Sequence, residues 1–155
     1  MVIVGYDPGS ISCGVGIVRK KGRKIEYVYS EEIKLKKGTL VLRMKQLWDK
    51  LLEINRQYQI DEAAVEESFL GKNVKTMAVL SMIRGMIIGL CHQQNMNIGL
   101  YSPREVKQFV TGSGNAQKIQ VQKMMTILLN INKKKIGLDE SDALATAYCH
   151  AMKQK

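Results

Sequence analysis

The sequence lacks the cysteine pattern of a structural zinc site or a disulfide framework. Its three cysteines, Cys13, Cys91 and Cys149, are odd in number and widely spaced, and none belongs to a CxxC pair. We therefore expect all three to be small, buried apolar residues of a protein that works in a reducing cytoplasm.

Long apolar runs are missing as well. No uninterrupted apolar stretch approaches the ~20 residues that a membrane-spanning helix requires. The first residues have no basic region and reach an acid at Asp7, which argues against a secretory signal. Internal repeats, linkers and low-complexity segments are also absent, so the 155 residues predict one domain covering 1–155.

Negative charge is scarce in this chain. It carries 24 Lys+Arg against 14 Asp+Glu, a formal net charge of +10. A surface this basic attracts polyanions, and a nucleic acid fits better than a membrane because no basic amphipathic helix stands out. The few acids at strand ends and helix starts are therefore the residues to examine for chemistry.

Apolar periodicity predicts an α/β fold. Short or alternating apolar runs bounded by turn residues predict strands, and apolar residues at helical spacing predict helices. The strands are predicted over 2–6, 14–18, 25–33, 63–66 and 97–101, and the helices over 40–58, 73–94, 103–110, 116–129 and 138–152. This order predicts a mixed five-stranded sheet, with three antiparallel and then two parallel strands, and helices on both faces.

The helix predicted over 73–94 is apolar almost all round. A helix without a wet face is covered on both sides, so one side should pack on the sheet and the other on a second subunit. A monomer would leave too large an apolar patch exposed. The expected dimer surface consists of Met77, Leu80, Ile83, Met86 and Ile87.

Four acids occupy positions that suit a metal-dependent nuclease. Asp7 and Glu66 each end a predicted strand, and sites in open α/β sheets form at the carboxyl ends of strands. Asp139 and Asp142 are three residues apart on the last predicted helix, so their side chains share one face. A helix docked across the sheet edge would bring all four together.

Carboxylates gathered in this way need a cation. Two like charges ~4 Å apart repel by roughly 4 kcal/mol at an effective dielectric constant of 20. Oxygen ligands suit Mg²⁺ or Mn²⁺, and two such ions ~3.5–4 Å apart could promote an in-line displacement at phosphorus. Taken singly, each acid could also be a solvated charge or, like Asp139, a helix N-terminal acid favoured by the dipole.

Four segments that follow one another along essentially the whole chain resemble a known family. They are VGYDPGS at 4–10 with GVG at 14–16, AVEESFLGKN at 64–73, VKQ at 106–108 with GSGNAQKIQVQ at 112–122, and DESDALA at 139–145. Together they resemble the RuvC Holliday-junction resolvases. The resemblance implies an RNase H-like fold and a homodimer that nicks two opposed strands of a four-way DNA junction symmetrically, using Mg²⁺ or Mn²⁺. The residues that match the family's catalytic acids are Asp7, Glu66, Asp139 and Asp142.

The same resemblance assigns roles to basic and aromatic residues. Lys107 and Lys118 match family residues near the scissile phosphate, and both lie beside a glycine turn or a predicted helix N-terminus, where phosphates bind. Phe69 matches an aromatic that stacks on a base at the junction centre, an interaction worth ~1–3 kcal/mol. The neighbouring Lys72 and Lys75 are expected to bind DNA as well.

Several alternatives stay open on the sequence alone. The protein could be a junction-binding module without chemistry, although four acids facing phosphate argue against that. It could also be a related nuclease acting on other branched DNA or on RNA. The segment 7–10 resembles the phosphate-binding hairpin of sugar kinases and actin-type ATPases, but those folds need two such domains. The preferred metal, the cleavage preference and any obligate branch-migration motor are not determined.

Overall fold

In this computed structural model the described residues are 1–67, 73–132 and 136–154. Their strands are β1 (Val2–Pro8), β2 (Ser12–Lys21), β3 (Lys24–Lys34), β4 (Glu62–Glu66) and β5 (Asn97–Tyr101). Their helices are α1 (Leu40–Tyr58), α2 (Val74–Gln93), α3 (Pro103–Thr111), α4 (Lys118–Leu128) and α5 (Leu138–Lys153). Each element overlaps its predicted range. Strand β2 is longer than predicted because its pairing with β1 and β3 continues through polar residues at both ends.

Within the described residues the strands form one five-stranded sheet in the order β3-β2-β1-β4-β5. The pairs β1–β2 and β2–β3 are antiparallel, whereas β1–β4 and β4–β5 are parallel. This confirms the predicted mixture of strand directions. Because β1 and β4 are parallel neighbours, their carboxyl ends lie at the same edge, with Tyr6 opposite Val65 one residue before Asp7 and Glu66.

Helices cover both faces of the sheet, as predicted. One apolar cluster, which includes Ile3, Val18 and Leu144, lies between the sheet and helices α3, α4 and α5. A second cluster lies on the opposite face and includes residues of α1 and α2, such as Leu47 and Leu90. Burying these two apolar layers is the main favourable contribution to folding, and it fixes both faces of β1.

Helix α5 lies unusually close to the sheet because glycines face it. A Cβ atom added at Gly5 in β1 would lie 2.0 Å from the carbonyl oxygen of Ala143. One added at Gly14 in β2 would lie 2.1 Å from the carbonyl oxygen of Asp139. No other residue type fits at these positions without a backbone shift. The start of α5 is therefore held against the edge of the sheet where β1 ends.

The prediction for helix α2 needs one correction. Ile83 and Ile87 were expected in a dimer surface, but both are fully buried in the core within a single chain. By length and composition alone α2 could cross a membrane, a test that the core helix of a soluble protein also passes. Only 22% of the apolar window is buried, so α2 packs on the domain with one face and leaves the other open.

All three cysteines are free and buried, as predicted. Burial raises the pKa of the Cys91 thiol to about 12 and that of the Cys149 thiol to about 11. These thiols stay protonated at neutral pH, so they act as apolar core residues and have no nucleophilic character.

Candidate active site

Three elements deliver acids to one edge of the sheet. Asp7 lies near the end of β1, and Glu66 is the last residue of the adjacent parallel strand β4. Asp139 and Asp142 lie in the first turns of α5, which the glycine contacts hold against the same edge. The edge is where the carboxyl ends of parallel strands meet, which is the usual position of a site in an open α/β sheet.

The structure brings three of the four acids into direct proximity. Asp7, Asp139 and Asp142 each offer a carboxylate oxygen, and these atoms lie within 4.8 Å of one another. Asp142 is buried, and the other two are partly buried. Glu66 is not a member of this group of three, although it interacts electrostatically with Asp7 and Asp142. The oxygens of the three aspartates could hold a divalent cation.

The ammonium of Lys118 lies among these carboxylates. Its Nζ atom is 2.7 Å from Oδ2 of Asp142, 3.2 Å from Oδ1 of Asp139 and 4.0 Å from Oδ2 of Asp7. Lys118 is the first residue of α4, which places it at a helix N-terminus as predicted. The ammonium of Lys118 therefore supplies positive charge within the acid cluster.

Burial and mutual repulsion make these acids hard to ionise. Burial raises the pKa of Asp7 to about 7, with Lys118 opposing and the aspartates of α5 adding to the shift. Burial, together with the charges of Asp7 and Asp142, likewise raises the pKa of Glu66 to about 9. The pKa of Asp142 is also raised by burial, against the opposing effect of Lys118. A divalent cation would relieve this repulsion.

The two lysines differ in how closely they approach the acids. Burial tends to lower the pKa of Lys118, but hydrogen bonding to Asp142 and the surrounding carboxylates outweigh it, so its pKa is raised. Lys107 lies in α3 and forms no ion pair among the described residues, yet its charge opposes the raised pKa of Glu66 and Asp142. Lys107 is therefore close enough to act on the same site without being tied to it.

Other predicted site residues are not brought to the cluster. Phe69 and Lys72 lie outside the described residues. Lys75 is exposed in the first turn of α2, and its backbone N–H donates to the Asn73 side chain that caps this helix. Met77, Leu80 and Met86 are partly buried on α2 and contribute nothing to the acid site.

Sequence reasoning missed one residue of the site. The hydroxyl of Ser12, at the start of β2, donates to Oδ2 of Asp139 at 3.0 Å. This bond orients the Asp139 carboxylate so that its Oδ1 atom faces Lys118. The two residues are 127 positions apart, so no local pattern indicates the contact. The hydrogen bond becomes evident only in the folded structure, where β2 lies close to α5.

Comparison with known proteins identifies relatives along nearly the whole chain. The model of the family "Crossover junction endodeoxyribonuclease RuvC" matches residues 3–150. The protein of that name from Mannheimia succiniciproducens is 42% identical over 150 residues, which are 97% of this chain and 75% of the relative. The structure of Thermus thermophilus RuvC in complex with Holliday junction substrate is 27% identical, with a TM-score of 0.89, over 98% of this chain and 93% of that one.

Replacing Lys118 should strengthen metal binding in the absence of DNA. In Lys118→Met no ammonium has to leave the carboxylates, and charge-assisted hydrogen bonds of this kind are worth about 1.5–3 kcal/mol. We expect Mn²⁺ to bind about tenfold or more tightly than to the wild type, measured by isothermal titration calorimetry. Lys123→Met, an exposed lysine of the same helix, is the control. Equal or weaker affinity of Lys118→Met would contradict competition between lysine and metal.

The metal-free protein should lose stability as the pH rises. Asp7 and Glu66 have pKa values of about 7 and about 9 in the folded chain, above their values in the unfolded chain. At a pH between the unfolded and folded pKa values, the folded state therefore binds more protons than the unfolded state. Stability then falls with rising pH from about 4 up to these folded pKa values, by about 1.4 kcal/mol per pH unit for each fully linked proton.

Urea unfolding in EDTA between pH 5 and 9 measures this dependence. Asp7→Asn should flatten it below pH 7, because the amide does not titrate. Asp49→Asn, which removes an exposed acid paired with Lys45, should leave it unchanged. A wild-type slope in Asp7→Asn would show that Asp7 is not the linked group.

Proposed function

Because this chain belongs to the RuvC family of crossover junction endodeoxyribonucleases and is a junction-resolving endonuclease, we propose that it cuts four-way DNA junctions by paired, symmetric nicks in two opposed strands. Each subunit would hydrolyse one phosphodiester. The observation that carries this proposal is the convergence of Asp7, Asp139 and Asp142 within 4.8 Å on an otherwise basic chain. The Thermus relative named as bound to a Holliday junction supports the choice of DNA.

We propose that the site takes divalent cations, Mg²⁺ or Mn²⁺, two to each site. The donor set is chemically suited to them, since its ligand atoms are carboxylate oxygens with a single lysine as counter-charge. The four acids that would hold the ions are Asp7, Glu66, Asp139 and Asp142. When bound, the ions would lower the pKa of the attacking water and neutralise charge on the phosphate.

The chain's own residues would position the scissile phosphate. The ammonium groups of Lys107 and Lys118 would bind its non-bridging oxygens and favour the negative charge that builds up during hydrolysis. Ser12 would keep the Asp139 carboxylate oriented through its hydrogen bond. The raised pKa of Glu66 marks it as the acid that most needs a cation beside it to ionise at neutral pH.

Contacts away from the scissile phosphate complete the proposal. Phe69 would stack on a base at the junction centre, and Lys72 and Lys75 would bind phosphates nearby. The two opposed strands of the four-way junction are related by a twofold axis, and they would match two subunits related by the same symmetry. The protein would act in the cytoplasm, and a branch-migration motor that binds the same junction is a further proposed partner.

The open face of α2 is the proposed dimer surface. Val74 is 80% exposed and Met82 52% exposed, and the exposed Ala78 lies on the same side of the helix. Gly85 and Gly89 continue this side, and a Cβ added at either would meet no atom of the described residues within 4 Å beyond the neighbouring backbone of α2 itself. Glycine within a helix costs about 1 kcal/mol relative to alanine, so two of them on an open face favour close approach of a second helix. This surface replaces the predicted one that contained Ile83 and Ile87.

Asp7→Asn should abolish nicking but not junction binding. The amide keeps the size of the side chain but removes a charged ligand, so we expect the rate to fall on the order of 10²-fold or more. The measurement is cleavage of a synthetic immobile four-way junction with Mg²⁺ or EDTA, with cuts mapped on all four arms.

The matched control is Glu67→Gln, the acid next to Glu66. Neighbouring residues of an extended segment point in opposite directions, so Glu67 should not share the site and its amide variant should cut normally. Cleavage by Asp7→Asn at the wild-type rate would rule out this site. Binding without cleavage by the wild type would instead leave a junction-binding module.

Bulky residues on the open face of α2 should prevent dimerisation. In Gly85→Leu the side chain would separate two helices that meet at this glycine, and the dimer fraction in sedimentation velocity should fall sharply. Gln57→Leu, which adds the same side chain at an exposed position of α1, should leave the dimer intact. A Gly85→Leu variant that sediments as the wild type does would place the dimer contact elsewhere.

A further inference from the structure

A basic groove opens beside the acid cluster, between the β1–β2 loop and the segment that joins β3 to α1. Four of its lining residues are cations, Lys34, Lys36, Lys37 and Arg43, and the lining includes one acid, Glu32. We call this feature the lysine groove. Its lining residues lie outside the four sequence segments that resemble the RuvC family.

The lysines of this groove form no ion pair among the described residues. Lys34, Lys36 and Lys37 are all exposed. Lys21 with Glu26 and Lys45 with Asp49 are exposed lysines that do form ion pairs. Four cations against one acid in the lining give the groove a net positive charge, which attracts an anion.

The lysine groove is continuous with the acid cluster. Ser12 and Lys34 are direct partners across the β2–β3 pair, so their side chains leave the sheet on the same face. The Ser12 hydroxyl donates to Asp139 at 3.0 Å, which ties this end of the groove to the acids. The backbone N–H of Leu35 donates to the Ile11 carbonyl at 2.9 Å and holds the two walls together.

Arg43 holds the far wall of the groove in place. Its Nη1 atom donates to the carbonyl oxygen of Ser10, which connects α1 to the loop that follows Asp7. The guanidinium therefore adds a positive charge in a fixed position to the lining of the groove.

The length of the lysine segment sets a limit on the nucleic-acid backbone it can contact. Residues 34–37 span at most about 10 Å at ~3.3–3.6 Å per residue. Phosphates of one strand follow one another at a rise of ~3.4 Å along the duplex axis, so this segment reaches at most about three nucleotides. Because Ser12 both lines the groove and donates to Asp139, those nucleotides would lie beside a phosphate at the acid cluster.

We propose that the lysine groove binds the phosphate backbone of the strand that is cut, over about three nucleotides on one side of the scissile phosphate. The inference rests on the proposed function, because it takes the acid cluster as the cutting site. Its role is to hold one duplex arm on the protein and so to strengthen binding of the junction. Base identity would not be read there, since lysines on phosphates carry no sequence information.

The test is the salt dependence of junction binding by the triple variant Lys34→Gln, Lys36→Gln, Lys37→Gln. Each lost phosphate contact flattens the log–log slope of affinity against salt by about 0.9, so we expect a decrease of up to about 2.7. At saturating protein, cut positions and single-turnover rate should stay those of the wild type, because none of these lysines contacts the acids.

The control removes the same charge at the opposite end of the sheet, with Arg19→Gln, Arg23→Gln and Arg56→Gln, all exposed. This arginine variant should keep most of the wild-type slope of junction affinity against salt. Methylphosphonate linkages within three nucleotides of the cut should weaken binding by the wild type and should weaken binding by the lysine variant much less.

Two results would overturn the proposal: a wild-type slope in the lysine variant, or an equal loss in the arginine control. An unchanged slope would leave an acidic protein segment as the occupant to examine. Failure of the proposed function is a separate outcome, because it would appear as a wild-type protein that binds junctions without cutting them, and the salt slopes could still be compared.

Discussion

The contact between the backbone of α5 and the glycines of β1 and β2 is the constraint on which the site depends. A side chain at Gly5 or Gly14 would collide with carbonyl oxygens of α5, at 2.0 Å and 2.1 Å. An ordinary helix–sheet separation would hold Asp139 and Asp142 farther from Asp7. The close approach therefore converts three distant sequence positions into one group of ligand atoms within 4.8 Å.

The same group of charges links stability to the proposed binding of metal and DNA. The carboxylates repel one another, and Lys118 supplies a counter-charge at 2.7 Å from Asp142. In the proposed function a metal ion and this lysine would compete for the same carboxylate oxygens. A cation that took those oxygens would leave the ammonium available for the phosphate, and the proposed lysine groove would extend the positive surface along the bound DNA strand.

The sequence alone predicted the elements, the mixture of strand directions and the three aspartates that lie together, because strand ends, helix caps and motif spacing are local signals. It could not assign the faces of α2, since a helix that is apolar all round gives no periodic signal to separate Ile83 from Met82. It also missed Ser12, whose partner Asp139 is 127 residues away. The lysine groove was not predicted, because Arg43 and the β1–β2 loop join Lys34, Lys36 and Lys37 only in the folded chain.

The order of the acids along the chain has a consequence during synthesis. Asp7 leaves the ribosome early, whereas Asp139 and Asp142 belong to α5, the last helix of the described chain. A nascent polypeptide that has not yet released this helix contains Asp7 and Lys118 but lacks two of the three clustered aspartates. The cluster therefore forms only when α5 has been synthesised and has docked on the sheet.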